Sequence, residues 1–117
     1  MFGLLKSDID EIRRCLMTFA EVEMAYILGS RAMGNYKNGS DVDIALKGSG
    51  LNFSIISKIS YILNEDSAMP YHFDILNYHD INNEELLKHI DRVGIILYQK
   101  EAIISVNDPK TDYGKEE

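Results

Sequence analysis

The sequence predicts a single layered α/β domain. Segments with apolar residues at three- and four-residue spacing alternate with short β-rich runs, and Gly or Pro punctuates the joins between them. The length of 117 residues holds one core of ordinary size, and a chain this long buries roughly two-thirds of its unfolded surface. A hydrophobic share of 45% beside a charged share of 26% belongs to an ordinary globular chain.

Taken in order, Ser7-Asp8-Ile9-Asp10-Glu11 reads as a helix start with Ser7 as N-cap and acids in the first turn. Ile9, Ile12, Leu16 and Phe19 then carry an amphipathic helix to about Ala20. The run from Val22 to Leu28 is β-rich and mostly apolar, a strand that Gly29-Ser30 ends. From Arg31 to Gly39 the chain is short, polar and broken by Gly and Asn, which predicts a loop or one helical turn. Asp41 to Leu46 alternates as a strand does: Val42, Ile44 and Leu46 share one face, and Asp41, Asp43 and Ala45 the other. Leu51, Ile55, Ile56, Ile59, Ile62 and Leu63 mark a second helix to about Asn64. Pro70 precedes a strand from Tyr71 to Asn77; a helix from Asn83 to Arg92 and a last strand from Ile95 to Tyr98 follow. The domain is expected to span 1–104, with a polar, disordered tail over 105–117.

Twelve Lys and Arg against nineteen Asp and Glu give a net charge of −7. Basic patches supply most of the affinity for nucleic acid, so direct DNA or RNA binding is not expected. An acidic chain also holds a phosphate ligand poorly unless a divalent cation accompanies it. The lone Cys15 excludes an internal disulfide or a cysteine-based zinc site and reads as a small buried hydrophobe. No apolar run reaches the length of a membrane span, and the N-terminus lacks the pattern of a signal peptide. A cytoplasmic chain with no membrane partner is the expectation.

The stretch that carries chemistry runs from Gly29 to Asp43 (GSRAMGNYKNGSDVD). Gly29-Ser30 follows an apolar strand, where a turn offers free backbone N–H groups and a hydroxyl to an anion. Asp41 and Asp43 lie two apart on a strand, so both side chains leave the same face with Cα atoms about 6.5–7 Å apart. That spacing suits one or two hard divalent cations, which favour oxygen ligands. Asp8-Ile9-Asp10 repeats the same acid pair on a helix, where residues two apart diverge by about 200° and cannot chelate. Asp74 alternates between Phe73 and Ile75 inside an apolar strand, a costly place for an acid without a partner. Should its strand lie beside that of Asp41, Asp74 faces the same site.

Gly29-Ser30, ten intervening residues, then Asp41-x-Asp43, with Asp74 in a later strand, resembles the signature of the nucleotidyltransferase superfamily that includes DNA polymerase β. The fuller form, GSRAMGNYKNGSDVDIAL, resembles its minimal nucleotidyltransferase (MNT) family. The resemblance implies a mixed β-sheet with helices packed against it. It implies Gly29, Ser30, Arg31 and Ser40 around the triphosphate of an incoming nucleotide, with ATP the expected substrate. Asp41, Asp43 and Asp74 would bind one or two Mg²⁺ ions, and Asp74 would serve as base while the acceptor oxygen displaces pyrophosphate. MNT chains are typically paired with a small helical HEPN protein, and several act as antitoxins by transferring AMP onto a tyrosine of that partner. Met33 departs from the pattern, since many members carry arginine there. Its rival implication is a catalytically weak nucleotide-binding subunit that neutralises its partner by occlusion; a small-molecule adenylyltransferase lacks an acceptor domain here.

The remaining candidates read as structure. His72, His79 and His89 show no metal-ligand spacing and are expected to be structural or surface groups, and the Ile-rich stripe of 51–63 is core packing. Tyr36 in the motif loop is as compatible with solvent as with stacking on a ligand base.

Overall fold

The computed structural model describes residues 4–28 and 41–100. Helix α1 (Lys6–Met17) opens it, with Ile9, Ile12, Cys15 and Leu16 buried. It starts two residues earlier than the Ser7 cap predicts. Leu5 occupies the N-cap, and the Asp8 carboxylate accepts the Leu5 N–H at 3.1 Å. The same oxygen accepts the Tyr71 hydroxyl at 2.8 Å, while Asp10 pairs with Lys6 in solvent at 3.1 Å. Asp8 and Asp10 are thus engaged separately, as the helical geometry requires. The helix ends at Met17 rather than near Ala20, because the Thr18 hydroxyl and N–H both turn back onto the Cys15 carbonyl.

Strand β1 (Met24–Ile27) is shorter than the apolar run suggests, although hydrogen bonds from Glu23 N–H to the Lys47 carbonyl and from Leu28 N–H to the Asp43 carbonyl extend its ladder at both ends. Strand β2 (Val42–Lys47) follows the 29–40 segment and keeps the expected alternation, with Val42, Ile44 and Leu46 fully buried. Gly48 then lets the chain pass the Glu21 carbonyl, where a Cβ would collide with that oxygen. Helix α2 (Phe53–Tyr61) is capped by Asn52, which accepts from Ile55 N–H at 2.9 Å. It runs on into one π-helical turn, Ile62–Asp66, so the expected helix is present with a widened last turn. Strand β3 (Phe73–Asn77), helix α3 (Glu84–Val93, capped by Asn83) and strand β4 (Ile95–Gln99) complete the described chain.

The four strands form one mixed sheet in the order β3-β2-β1-β4. Strand β1 pairs antiparallel with both β2 and β4, and β2 pairs parallel with β3. A register shift between Ala25 and Tyr26 leaves Leu97 as the extra residue on β4; its side chain is buried and its carbonyl accepts from Arg13 Nε at 2.8 Å. One face of the sheet carries the main core: Ile27, Val42, Ile44, Leu46 and Phe73 pack with α1 and with Ile59 and Leu63. On the other face α3 places Ile90 against Leu28 and Ala45, with Tyr26, Leu76 and Leu86 around them. This α+β layering is the predicted fold class. No described helix is long and apolar enough to cross a membrane.

Candidate functional site

The acids gather where α3 leaves its face of the sheet uncovered by described residues. The alternation that buries Val42 and Ile44 sends Asp41 and Asp43 to the α3 side, ahead of the Ala45 that α3 covers. Parallel pairing of β2 with β3 sets Asp43 level with Asp74 and Val42 level with Phe73. The Val42 N–H bonds to the His72 carbonyl at 2.8 Å, which keeps the start of β3 beside the start of β2. Asn64, from the π-helical turn, closes the other side of that strand: its Oδ1 accepts from Phe73 N–H at 2.7 Å and its Nδ2 donates to the Phe73 carbonyl at 2.9 Å.

Three side chains converge as a result. Asp41, His72 and Asp74, all exposed, each offer one ligand atom, and these atoms lie within 4.8 Å of one another. Asp43, half-buried and level with Asp74 across the sheet, is not one of the three. Its carboxyl is pushed up from the usual range first by burial, then by the negative charges of Asp74 and Asp41, with His72 acting the other way. A carboxylate in that position is short of positive charge, and a divalent cation supplies it. Two carboxylates and an imidazole are a competent donor set for such an ion. The sequence pattern singles out Asp41, Asp43 and Asp74, and the sheet brings all three to one end of one face. The same pattern leaves His72 among structural or surface groups; the signal for it is His72-x-Asp74, the two-residue alternation that also pairs Asp41 with Asp43. Gly29, Ser30, Arg31 and Ser40, together with Met33 and Tyr36, lie outside the described residues.

A groove of about 470 Å³ opens from His72 and Asp74 along α2, lined also by Ile56, Ser60, Tyr61 and Asn64. That volume falls within the range of small-molecule sites. A larger hollow of about 540 Å³ lies on the Phe19 flank of α2, with no carboxylate or histidine in its lining, so the chemistry belongs to the smaller one. Phe53 and Tyr61 stand 83% and 63% exposed, which leaves two aromatic rings in solvent beside the groove. His79 is structural: its Nε2 accepts the Gly48 N–H at 3.1 Å.

The family model described as polymerase beta, nucleotidyltransferase, matches residues 7–103. No curated protein matches the chain in sequence. Among solved structures, a toxin–antitoxin complex with AMP-PNP is similar at 20% identity and a TM-score of 0.64, over 84% of this chain and 76% of that one. The complex of tri-AMPylated Shewanella oneidensis HEPN toxin with its MNT antitoxin is similar at 18% identity and a TM-score of 0.61, over 81% and 72%. A MntA–HepT toxin–antitoxin pair gives 17% identity and a TM-score of 0.62, over 82% and 74%. At these identities the likeness is one of fold.

Proposed function

Because the chain belongs to the polymerase beta nucleotidyltransferase family, we propose that it transfers AMP from ATP to a hydroxyl of a partner protein in a Mg²⁺-dependent reaction, and that it acts as the antitoxin of a small helical HEPN-type partner. The observation that carries the catalytic part is the parallel register, which sets Asp74 beside the Asp41–Asp43 strand end. The choice of AMP and of a HEPN partner is supported by two structural relatives: one is a toxin–antitoxin complex with AMP-PNP, the other holds a tri-AMPylated HEPN toxin.

Asp41, Asp43 and Asp74 would hold the cation. When bound, Mg²⁺ neutralises triphosphate charge and helps the leaving group depart. Gly29, Ser30, Arg31 and Ser40 would position the triphosphate. Asp74, exposed at the mouth of the groove, would take the proton of the acceptor hydroxyl. The acceptor oxygen attacks the α-phosphorus in line, a new P–O bond forms, and the bond to pyrophosphate breaks. Positioning and electrostatics supply most of the acceleration. A second reading, a binding subunit that occludes its partner without turnover, is favoured by Met33 in place of the family arginine.

The test is recovery of the chain with its companions from native cells, incubation with ATP and Mg²⁺, and intact-mass measurement of every recovered protein. A gain of AMP units on a companion is expected, and Asp41→Asn should lower it more than about a hundredfold. A stable companion that never gains mass selects the occluding subunit; a gain equal in Asp41→Asn sinks the metal-site assignment.

A further inference from the structure

We propose that His72 is a direct nitrogen ligand of the divalent cation, which turns the preference of the site from Mg²⁺ towards first-row transition ions such as Mn²⁺ and Co²⁺. The inference rests on the functional reading above only for the presence of a cation. It concerns a residue that stands outside the three-carboxylate pattern.

Geometry carries the argument. His72 and Asp74 alternate along one strand, so their side chains leave the same face. Stepping the register back from Val42↔Phe73 places Asp41 level with His72, and the 2.8 Å bond from Val42 N–H to the His72 carbonyl holds the two backbones there. The ligand atoms of Asp41, His72 and Asp74 all fall within 4.8 Å of one another. Around a cation with bonds of about 2.1 Å, neighbouring ligands stand about 3 Å apart and opposite ones about 4.2 Å. Small side-chain rotations therefore close this set on one ion, and all three side chains are exposed and free of core packing.

Chemistry then selects the ion. Mg²⁺ favours an all-oxygen shell and keeps several waters. Replacing one oxygen by imidazole favours ions along the first-row series, whose affinity for nitrogen rises from Mn²⁺ through Co²⁺. Asp43, half-buried and level with Asp74, is a fourth carboxylate on the same face. His79 is already engaged by the Gly48 N–H and does not compete for the ion in this arrangement.

The test uses the full chain loaded with Mn²⁺ alone and reads ¹⁴N coupling to the ion by electron spin echo envelope modulation. Coupling from one imidazole is expected in the wild type. It should vanish in His72→Gln, with Mn²⁺ affinity lowered at least about tenfold, the loss that even an outer-shell change produces. His72→Glu, which returns an oxygen to the same place, should hold Mn²⁺ without nitrogen coupling and bind Mg²⁺ more tightly than the wild type. Bound Mn²⁺ with no nitrogen coupling in the wild type, or coupling that survives His72→Gln, overturns the inference and leaves the transferase reading standing. Failure of the wild type to bind Mn²⁺ also overturns the inference, while AMP gain on a companion with ATP and Mg²⁺ decides the transferase reading separately.

Discussion

Asp43 is the residue at which the chemistry of the site and the stability of the fold meet. Burial and the charges of Asp74 and Asp41 hold its carboxyl above the usual range. The folded chain therefore keeps that proton to a higher pH than the unfolded chain does. Stability from this group is present below the unfolded pKa and is lost as pH rises through the folded one. Asp43→Asn removes a carboxylate that is destabilising at neutral pH, so without metal the variant should melt higher than the wild type at pH 7. Thermal melts across a pH series check this: the gap should narrow as the pH falls into the acid range, and a variant that melts lower at pH 7 refutes it. The acids of the site are legible in the sequence because strand alternation puts Asp41 and Asp43 on one face, and because an acid between Phe73 and Ile75 needs a partner. His72 is legible only in part: alternation puts it on the face of Asp74, but Asp41 meets it only through a parallel register that periodicity does not encode.

At the level of elements, the crossover through α2 decides where β3 lies. Asn64 makes two hydrogen bonds to the backbone of Phe73, and the π-helical turn is what carries that side chain. Asn64→Ala leaves both Phe73 groups unpaired in a partly buried place, which should cost about 1–3 kcal/mol. Because the start of β3 also carries His72 and Asp74, the same change should lower transfer by more than the loss of folded protein explains. Denaturant melts beside kcat per folded chain separate the two, and a loss of stability with unchanged kcat would make Asn64 a structural residue only. The element order and kinds follow from apolar spacing, and Asn83, at the start of its predicted helix, caps it. Boundaries move where side chains turn back on the backbone, as Asp8 does at Leu5 and Thr18 at Cys15. The π-helical turn has no periodic signature, so Ile62 and Leu63 read as an ordinary continuation.

The whole molecule is acidic, at −7, and its acids at the site stand at one end of one sheet face. A cation bound there acts on the folded chain alone, because the unfolded chain does not bring Asp41 and Asp74 together. At about 100 times its Kd such an ion stabilises by about 2.7 kcal/mol, which for a domain of this size raises Tm by roughly 10–20 °C. Melts with Mn²⁺ and with chelator measure it, and Asp41→Asn should lose most of the shift; an equal shift in the variant places the ion elsewhere. Strand order itself is not legible in the sequence, since nothing in the periodicity says that β1 lies between β2 and β4. The parallel pairing of β2 with β3 has a kinetic meaning as well. A hairpin forms by local closure, whereas a parallel pair waits for its crossover, and non-local contacts of this kind are slow to form. A chain emerging from synthesis owns Asp41 and Asp43 well before Asp74 is seated beside them. A slip of one residue in that pairing would turn Asp74 to the opposite face. Ion capture would thus read out correct topology, and a half-folded chain carries the acids without the assembled cluster.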